Sequence, residues 1–303
     1  MTKYFLVVSL GIFNFQLFAC DVCGGGGAGN YVGIVPNFSK NSIGIRAQHQ
    51  STLYKAHPLN TNGTSAIEGD AYFKTDAWMR YFWADRWQMQ LNIPFQVHSR
   101  QESERTTTIT GIGDLSIQSL YTLLNKGDSI NVLHKWTWTI GGGVQLPTGK
   151  YQQRDETKAM LPALFQIGSG SYGLMVNHNL GYRFKAFGIS TQYQYAFLLE
   201  NELGFQRGSR TNAALLFYYW YRKNLLSVLP SVGAVVNQFN PNKNFGAPDA
   251  NSGGYTLSTI AGLDIYFLNW VVQLNGYFTV LQQMNTVMPQ GVWQASLGVS
   301  RFF

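Results

Sequence analysis

Between Trp87 and His98 the chain alternates: Trp87, Met89, Leu91, Ile93, Phe95 and Val97 are apolar, with Gln88, Gln90, Asn92, Pro94, Gln96 and His98 between them. A period of two is the signature of a strand, because an amphipathic helix repeats its apolar positions at three and four residues. The chain ends the same way, on Trp293, Ala295, Leu297 and Val299, then the terminal Phe303, with Arg301 as the one exception. One greasy face and one wet face suit a strand with lipid on one side and a lumen on the other. A terminal aromatic is the residue that barrel-assembly machinery is expected to grip, so Phe303 is read as a C-terminal assembly signal.

Comparable runs recur near 41–54, 70–83, 87–98, 113–124, 135–147, 171–184, 187–198, 210–222, 225–237, 254–267, 269–281 and 291–303. They predict an all-β chain: a closed antiparallel transmembrane β-barrel of about twelve strands, an even number as single-chain bacterial barrels have. Connections alternate in length. Brief ones fall at Ala84–Arg86, Lys185–Ala186 and Leu268–Asn269, and long ones around 55–69, 99–112, 148–170, 199–209 and 238–253. Short periplasmic turns and long extracellular loops account for this, with 125–134 a longer turn on the short side. In that orientation Trp83, Trp87, Trp136, Tyr182, Trp220, Phe267, Trp270 and Phe303 gather at the periplasmic rim. Tyr54, Phe73, Phe95, Tyr172, Phe197, Tyr255 and Trp293 gather at the outer one. Two interfacial girdles are what a membrane demands and a soluble β-sandwich does not.

Composition agrees: 45% hydrophobic and 15% aromatic residues against 12% charged, with a mean hydropathy of −0.09, mean apolar side chains without concentrated apolar runs. The only long apolar segment, Tyr4 to Phe18, follows Lys3 and ends at Ala19, the layout of a secretory signal over 1–19. A periplasmic N-terminal segment over 20–40 then precedes the barrel over 41–303. The expected location is the bacterial outer membrane. Outer-membrane lipid, the assembly machinery and a small-molecule solute are the expected partners, and nucleic acid is not one. The net charge is +7, and cations of the expected external loops, such as Arg100, Arg105, Lys150, Arg154, Arg207 and Lys243, raise the local concentration of anionic solutes or meet lipid phosphates.

The inward set is rich in amides: Gln48, Gln50, Gln88, Gln90, Gln96, Gln118, Asn177, Asn179, Gln192, Gln194, Gln273 and Asn275. Among them Arg46, Lys74, Asp76, Arg80, Asp114, Arg183 and Asp264 are lumen-facing candidates that pair across a narrow bore or ring a constriction. Cys20 and Cys23, the only cysteines, form a Cys-x-x-Cys head followed by Gly24 to Gly27. Three chemistries stand open for it: a disulfide, a soft-metal site, or lipidation of Cys20 after Leu17–Phe18–Ala19. No other cofactor is expected, and the head also suits docking of a periplasmic protein partner. His178 falls on the lipid-facing side of its strand, where an imidazole needs a partner. Outer-membrane phospholipases carry outward catalytic residues that include a serine, yet His178 is flanked by Asn177 and Asn179. Gly141–Gly143 and Gly111–Asp114 precede no helix, so they do not read as phosphate loops.

Three segments stand in order: Gly111–Ile112–Gly113–Asp114–Leu115, Val144–Gln145–Leu146–Pro147–Thr148–Gly149–Lys150–Tyr151, and Gln166–Ile167–Gly168–Ser169–Gly170–Ser171–Tyr172. Together they resemble the outer-membrane family associated with meta-pathway phenol degradation. The resemblance implies a barrel that transports small, often aromatic or hydrophobic compounds, and carries over no catalytic residue. The Cys20–Cys23 head is not part of that pattern and leaves room for a soft metal as cargo. The sequence thus points to a non-enzymatic outer-membrane channel for small solutes. A scaffold barrel docking a partner through its head, and an esterase using His178, are the alternatives.

Overall fold

The computed structural model describes residues 40–53, 69–102, 105–126, 133–154, 158, 160–161, 163, 165–250, 252–284 and 290–303. The proposed signal segment, Cys20, Cys23, the glycine run and Tyr54 lie outside the described residues. The strands are β1 (Ser42–Leu53), β2 (Gly69–Ala84), β3 (Trp87–Glu102), β4 (Arg105–Ile112), β5 (Leu115–Lys126) and β6 (His134–Leu146). They continue as β7 (Gly173–Phe184), β8 (Phe187–Leu198), β9 (Phe205–Gln206), β10 (Arg210–Tyr219), β11 (Tyr221–Lys223) and β12 (Leu226–Phe239). The last are β13 (Lys243–Asn244), β14 (Ala247–Pro248), β15 (Gly254–Phe267), β16 (Trp270–Met284) and β17 (Gln290–Phe302).

Each long strand pairs antiparallel with its neighbours, β1 with both β2 and β17, and the pairing of β10 with both β8 and β12 closes the ring. Counting β4 with β5 and β10 with β11 as broken staves gives a closed antiparallel barrel of twelve. Closure is what lets strands cross lipid, because every ladder N–H and C=O then has a partner. Ser42 stands opposite Phe302, and Phe303 N donates to Asn41 O at 3.0 Å, so the start of the barrel and its last residue meet at one rim. That rim carries the short turns; Lys185, Asn224 and Leu268 take φ of 52, 52 and 53° there.

Outward positions carry Ile43, Ile45, Met89, Phe95, Leu174, Val176, Leu297 and Val299, all exposed. At the short-turn rim Trp83 stacks on Trp87 at 5.6 Å, Trp87 meets Tyr121 at 4.9 Å, and Trp136 meets Tyr182 at 4.3 Å. Arg301, the interruption in the last strand, lies over the Trp270 ring at 5.6 Å, which places its charge in the aromatic belt. Trp220 departs from the expected girdle. It packs inward against the buried cluster of Leu216, Leu229 and Ile260, with Arg183 4.8 Å above its ring.

The amides predicted to face inward do occupy inward registers, but they line only part of the wall. On β10, β12, β15, β16 and β17 apolar side chains cluster on the inner face, where Leu216 and Leu229 are fully buried with Ile260, Tyr266, Val271 and Phe302 beside them, although Ser258, Asp264, Gln273, Asn275, Ser296 and Ser300 on the same faces are polar. Two further expectations are corrected. Residues 99–112 are not a loop, since β3 runs on to Glu102 and the Thr-rich β4 pairs with it from Glu102↔Arg105 to Phe95↔Ile112. The run 210–222 is broken at Trp220, whose N–H turns to Ala186 O. At the long-loop end β9, β13 and β14 form a small separate sheet.

Gly141 and Gly143 face inward from β6, where an added Cβ would lie 2.1 Å from Ser119 O and 2.4 Å from Ile117 O. The missing side chains let Leu120 and Gln118 of β5 lie across them. We expect Gly143→Val to cost about 1–3 kcal/mol by overpacking. It should lower the temperature at which the barrel loses its folded migration in gels. Gly142→Val, whose Cβ would meet only Met175 O at 3.1 Å, should shift it less.

Candidate functional site: the inner wall and the folded-in loop

The fourth stave is interrupted where the second half of the Gly111–Leu115 segment begins. From Asn92↔Ser116 to Phe95↔Ile112, Gly113, Asp114 and Leu115 stand opposite Ile93 and Pro94, so this side carries one extra residue. That is a bulge, and it flips the parity of the stave: odd-numbered Ile109 is buried on one side of it, even-numbered Ser116, Gln118 and Leu120 on the other. Pro94, with no N–H for a ladder, sits at the break and accepts from Gly113 N at 2.7 Å.

The connection between β6 and β7 repairs the break. Thr148 Oγ1 accepts from Leu115 N at 2.9 Å and donates to Gly113 O at 3.0 Å, standing in for the lost ladder. Asp114 accepts from Gly149 N at 3.0 Å, Ser169 N at 2.8 Å, Ser169 Oγ at 2.6 Å and Gln145 Nε2 at 2.9 Å. Gly149 and Gly168 cross in backbone contact, since a Cβ on Gly168 would lie 2.4 Å from Gly149 O. The three sequence segments that carry the family resemblance therefore converge on one carboxylate. Charge-assisted bonds of this kind are the strong ones.

So anchored, the connection packs against the barrel wall. Phe165 is fully buried in a cluster with Tyr72, Ile109, Leu161 and Ile167. His98 Nδ1 meets Phe165 O at 2.8 Å and its Nε2 meets Gln96 Oε1 at 2.8 Å. Arg100 lies 4.7 Å over the Phe165 ring and grips Asp70 with both Nε and Nη2, at 3.0 and 2.9 Å. From the opposite loop Arg207 Nη2 donates to Ala163 O at 3.0 Å, and Asn201 Nδ2 donates to Tyr151 Oη at 2.7 Å. Burial pulls the Arg207 guanidinium below its usual range, opposed by Asp114, Tyr151 and Tyr72; burial also pushes the Tyr151 phenol up. The sequence singled out Asp114 only as a lumen-facing charge, and assigned this anchoring role neither to Asp114 nor to His98, Arg100, Phe165 and Arg207. The segment 148–170 read as a plain external loop.

Farther down the lumen Asp76 is fully buried between Arg46 Nη2 at 2.9 Å and Lys74 Nζ at 3.0 Å. Asn92 Nδ2 reaches the same carboxylate at 3.3 Å. Gln118, Asn177 and Gln194 form an amide chain, at 3.0 and 2.9 Å, over β5, β7 and β8. Asp264 is buried on the inner face of β15, and Arg80 and Arg183 are buried near the short-turn rim. His178 sits on the outer face. Its cross-strand neighbours are Ile140 and Tyr193, and Trp138 meets it edge-on at 6.0 Å, so no serine or carboxylate stands directly across from it.

No model of a protein family matches the sequence, and no curated protein sequence matches it. Among solved structures the barrel is similar to that of an outer membrane channel from Pseudomonas putida F1, with a TM-score of 0.68 at 14% identity, covering 87% of this chain and 96% of that one. It is also similar to the β domain of the Bordetella autotransporter BrkA, with a TM-score of 0.54 at 10% identity, covering 87% and 100%. At such identities the likeness establishes the fold: this chain is a barrel of the outer-membrane type.

Asp114→Ala removes three hydrogen bonds from the anchored connection and one from Gln145 of β6. We expect the refolded barrel to persist while trypsin cuts between Lys150 and Lys158 at least about tenfold faster than in wild type, because local opening then costs less. Unchanged cleavage would show that the carboxylate does not hold the segment.

Proposed function

We propose that this protein is a passive channel of the bacterial outer membrane for small solutes, including compounds with an aromatic or otherwise apolar body. One observation carries the reading. A closed barrel is lined by amides and paired charges, with a cluster of aliphatic and aromatic side chains on the inner face of β10, β12, β15, β16 and β17, under a mouth narrowed by the segment that Asp114 anchors. The polar groups keep a solute's hydrogen bonds satisfied, and the apolar cluster favours solutes that are not wholly hydrophilic. The resemblance to the phenol-degradation family supports aromatic compounds as the substrate class. Phe303 is proposed as the contact for the assembly machinery. A soft metal as cargo, or a periplasmic partner, rests on Cys20 and Cys23.

The close-packed residues Leu216, Leu229 and Ile260 favour a second reading, a scaffold barrel whose lumen stays shut. Planar-bilayer recording separates the two. The channel reading expects a small, steady conductance for the wild-type protein. Asp76→Asn, which leaves Arg46 and Lys74 uncompensated, should shift the permeability ratio severalfold toward anions. No conductance at any voltage would count for the scaffold.

A further inference from the structure

Near the short-turn rim the inner wall holds a guanidinium that no described residue satisfies. Arg80 is only 4% exposed, yet its Nε and Nη2 have no hydrogen-bond partner among the described residues. A buried charge is tolerated when it is paired, and a buried N–H when it is bonded; Arg80 keeps two donor nitrogens that have no acceptor among the described residues. The acid on its own strand cannot serve, because Asp76 is held by Arg46 at 2.9 Å and Lys74 at 3.0 Å.

The unsatisfied atoms are a matched pair. Nε and Nη2 lie on the same edge of a guanidinium, and this molecule shows what that edge is for: Arg100 uses the same two atoms to hold both oxygens of Asp70, at 3.0 and 2.9 Å. Arg80 presents the same fork, and no described residue accepts from it. Directly across the register stands Ser42, fully buried with its Oγ also unpartnered. One step further toward the rim Gln88, opposite Phe82, keeps an unpartnered Oε1, and its amide can turn either end to a ligand. Phe82 lies 5.6 Å under the Arg80 guanidinium, Phe302 stands opposite Ser42, and Trp78 faces the lumen one rung above, against Gly44. Two donors on one planar edge, an adjacent hydroxyl and aromatic surroundings define the chemistry that such a site would recognise.

We propose that Arg80 is a carboxylate receptor in the periplasmic half of the lumen, binding a small monocarboxylate with an aromatic body through its Nε–Nη2 edge, with Ser42 beside it. The solute would neutralise the guanidinium and lay its ring against the apolar wall. This rests on the channel reading only for how the solute arrives.

The test is calorimetric titration of the refolded full-length protein, in a zwitterionic detergent, with benzoate and with its neutral isostere benzamide. Saturable benzoate binding is expected, with benzamide at least about tenfold weaker, since it offers the fork no charge. Arg80→Gln, checked for folded migration in gels, should weaken benzoate at least about tenfold, whereas Arg301→Gln, which removes a positive charge from the outer surface, should leave it unchanged. Equal binding of the two probes, no saturable benzoate binding, or undiminished binding by folded Arg80→Gln would overturn the proposal. If Arg80→Gln does not fold, the comparison of the two probes on wild type decides alone. Bilayer recording keeps the two readings apart. Benzoate binding without conductance would sink the channel and leave the receptor, and conductance without benzoate binding would do the reverse.

Discussion

Everything in this protein follows from the need to pair each backbone N–H and C=O inside a medium that offers no water. The ladder that meets this need runs from β1 around to β17 and is sealed where β10 meets β12 and where β1 meets β17. Once it is closed, each side chain has only two places to go. The outer face must be apolar, and the inner face is free to vary. Function is therefore written on the inner half of each strand, and on any place where the ladder is allowed to fail.

It fails in the fourth stave, and the failure is organised. An extra residue at Gly113–Leu115 frees backbone groups that elsewhere would be bonded, and Thr148 returns a donor and an acceptor to them. The repair costs the β6–β7 connection its freedom. Thr148 and the Asp114 carboxylate fix its two ends, and Phe165 is then carried into the cluster with Tyr72 and Ile109. A defect in the wall thus becomes the device that narrows the mouth. Of the forces acting there, the hydrogen bonds to Asp114 set the position of the segment and the burial of Phe165 holds it down.

The sequence made the outer face plain and the inner face only half so. Trp87 to Val97 and Trp293 to Val299 alternate because one side must be apolar, and those registers are the ones observed. Alternation fails as a guide where both faces are apolar, as in Leu215–Leu216–Phe217–Tyr218–Tyr219–Trp220; that unbroken run was the available sign that β10 carries an apolar inner wall. Thr106 to Thr110 looked like a polar loop, although β-branched threonines are at home in a strand. Asp114 stood out as an acid in a strand, but its four bonds reach residues 31 to 55 positions away in the chain. Separations of that kind are set by the closed ring and cannot be read from local pattern.

The charges of the lumen show the same economy of placement. Asp70 with Arg100, and Asp76 with Arg46 and Lys74, are closed sets in which each carboxylate is fully buried and held. Such sets shape a bore but offer a passing solute little, because their hydrogen bonds are already made. Arg80 differs from them in one respect: no described residue accepts from its Nε or Nη2. Arg183, buried over the Trp220 ring, likewise pairs with no carboxylate and keeps an unpartnered Nε among the described residues, so the lower lumen keeps buried positive charge beside an apolar cluster. If Arg80 receives a carboxylate as proposed, passage through the lower lumen would depend on how well a solute supplies two acceptor oxygens at one end and a desolvated body at the other.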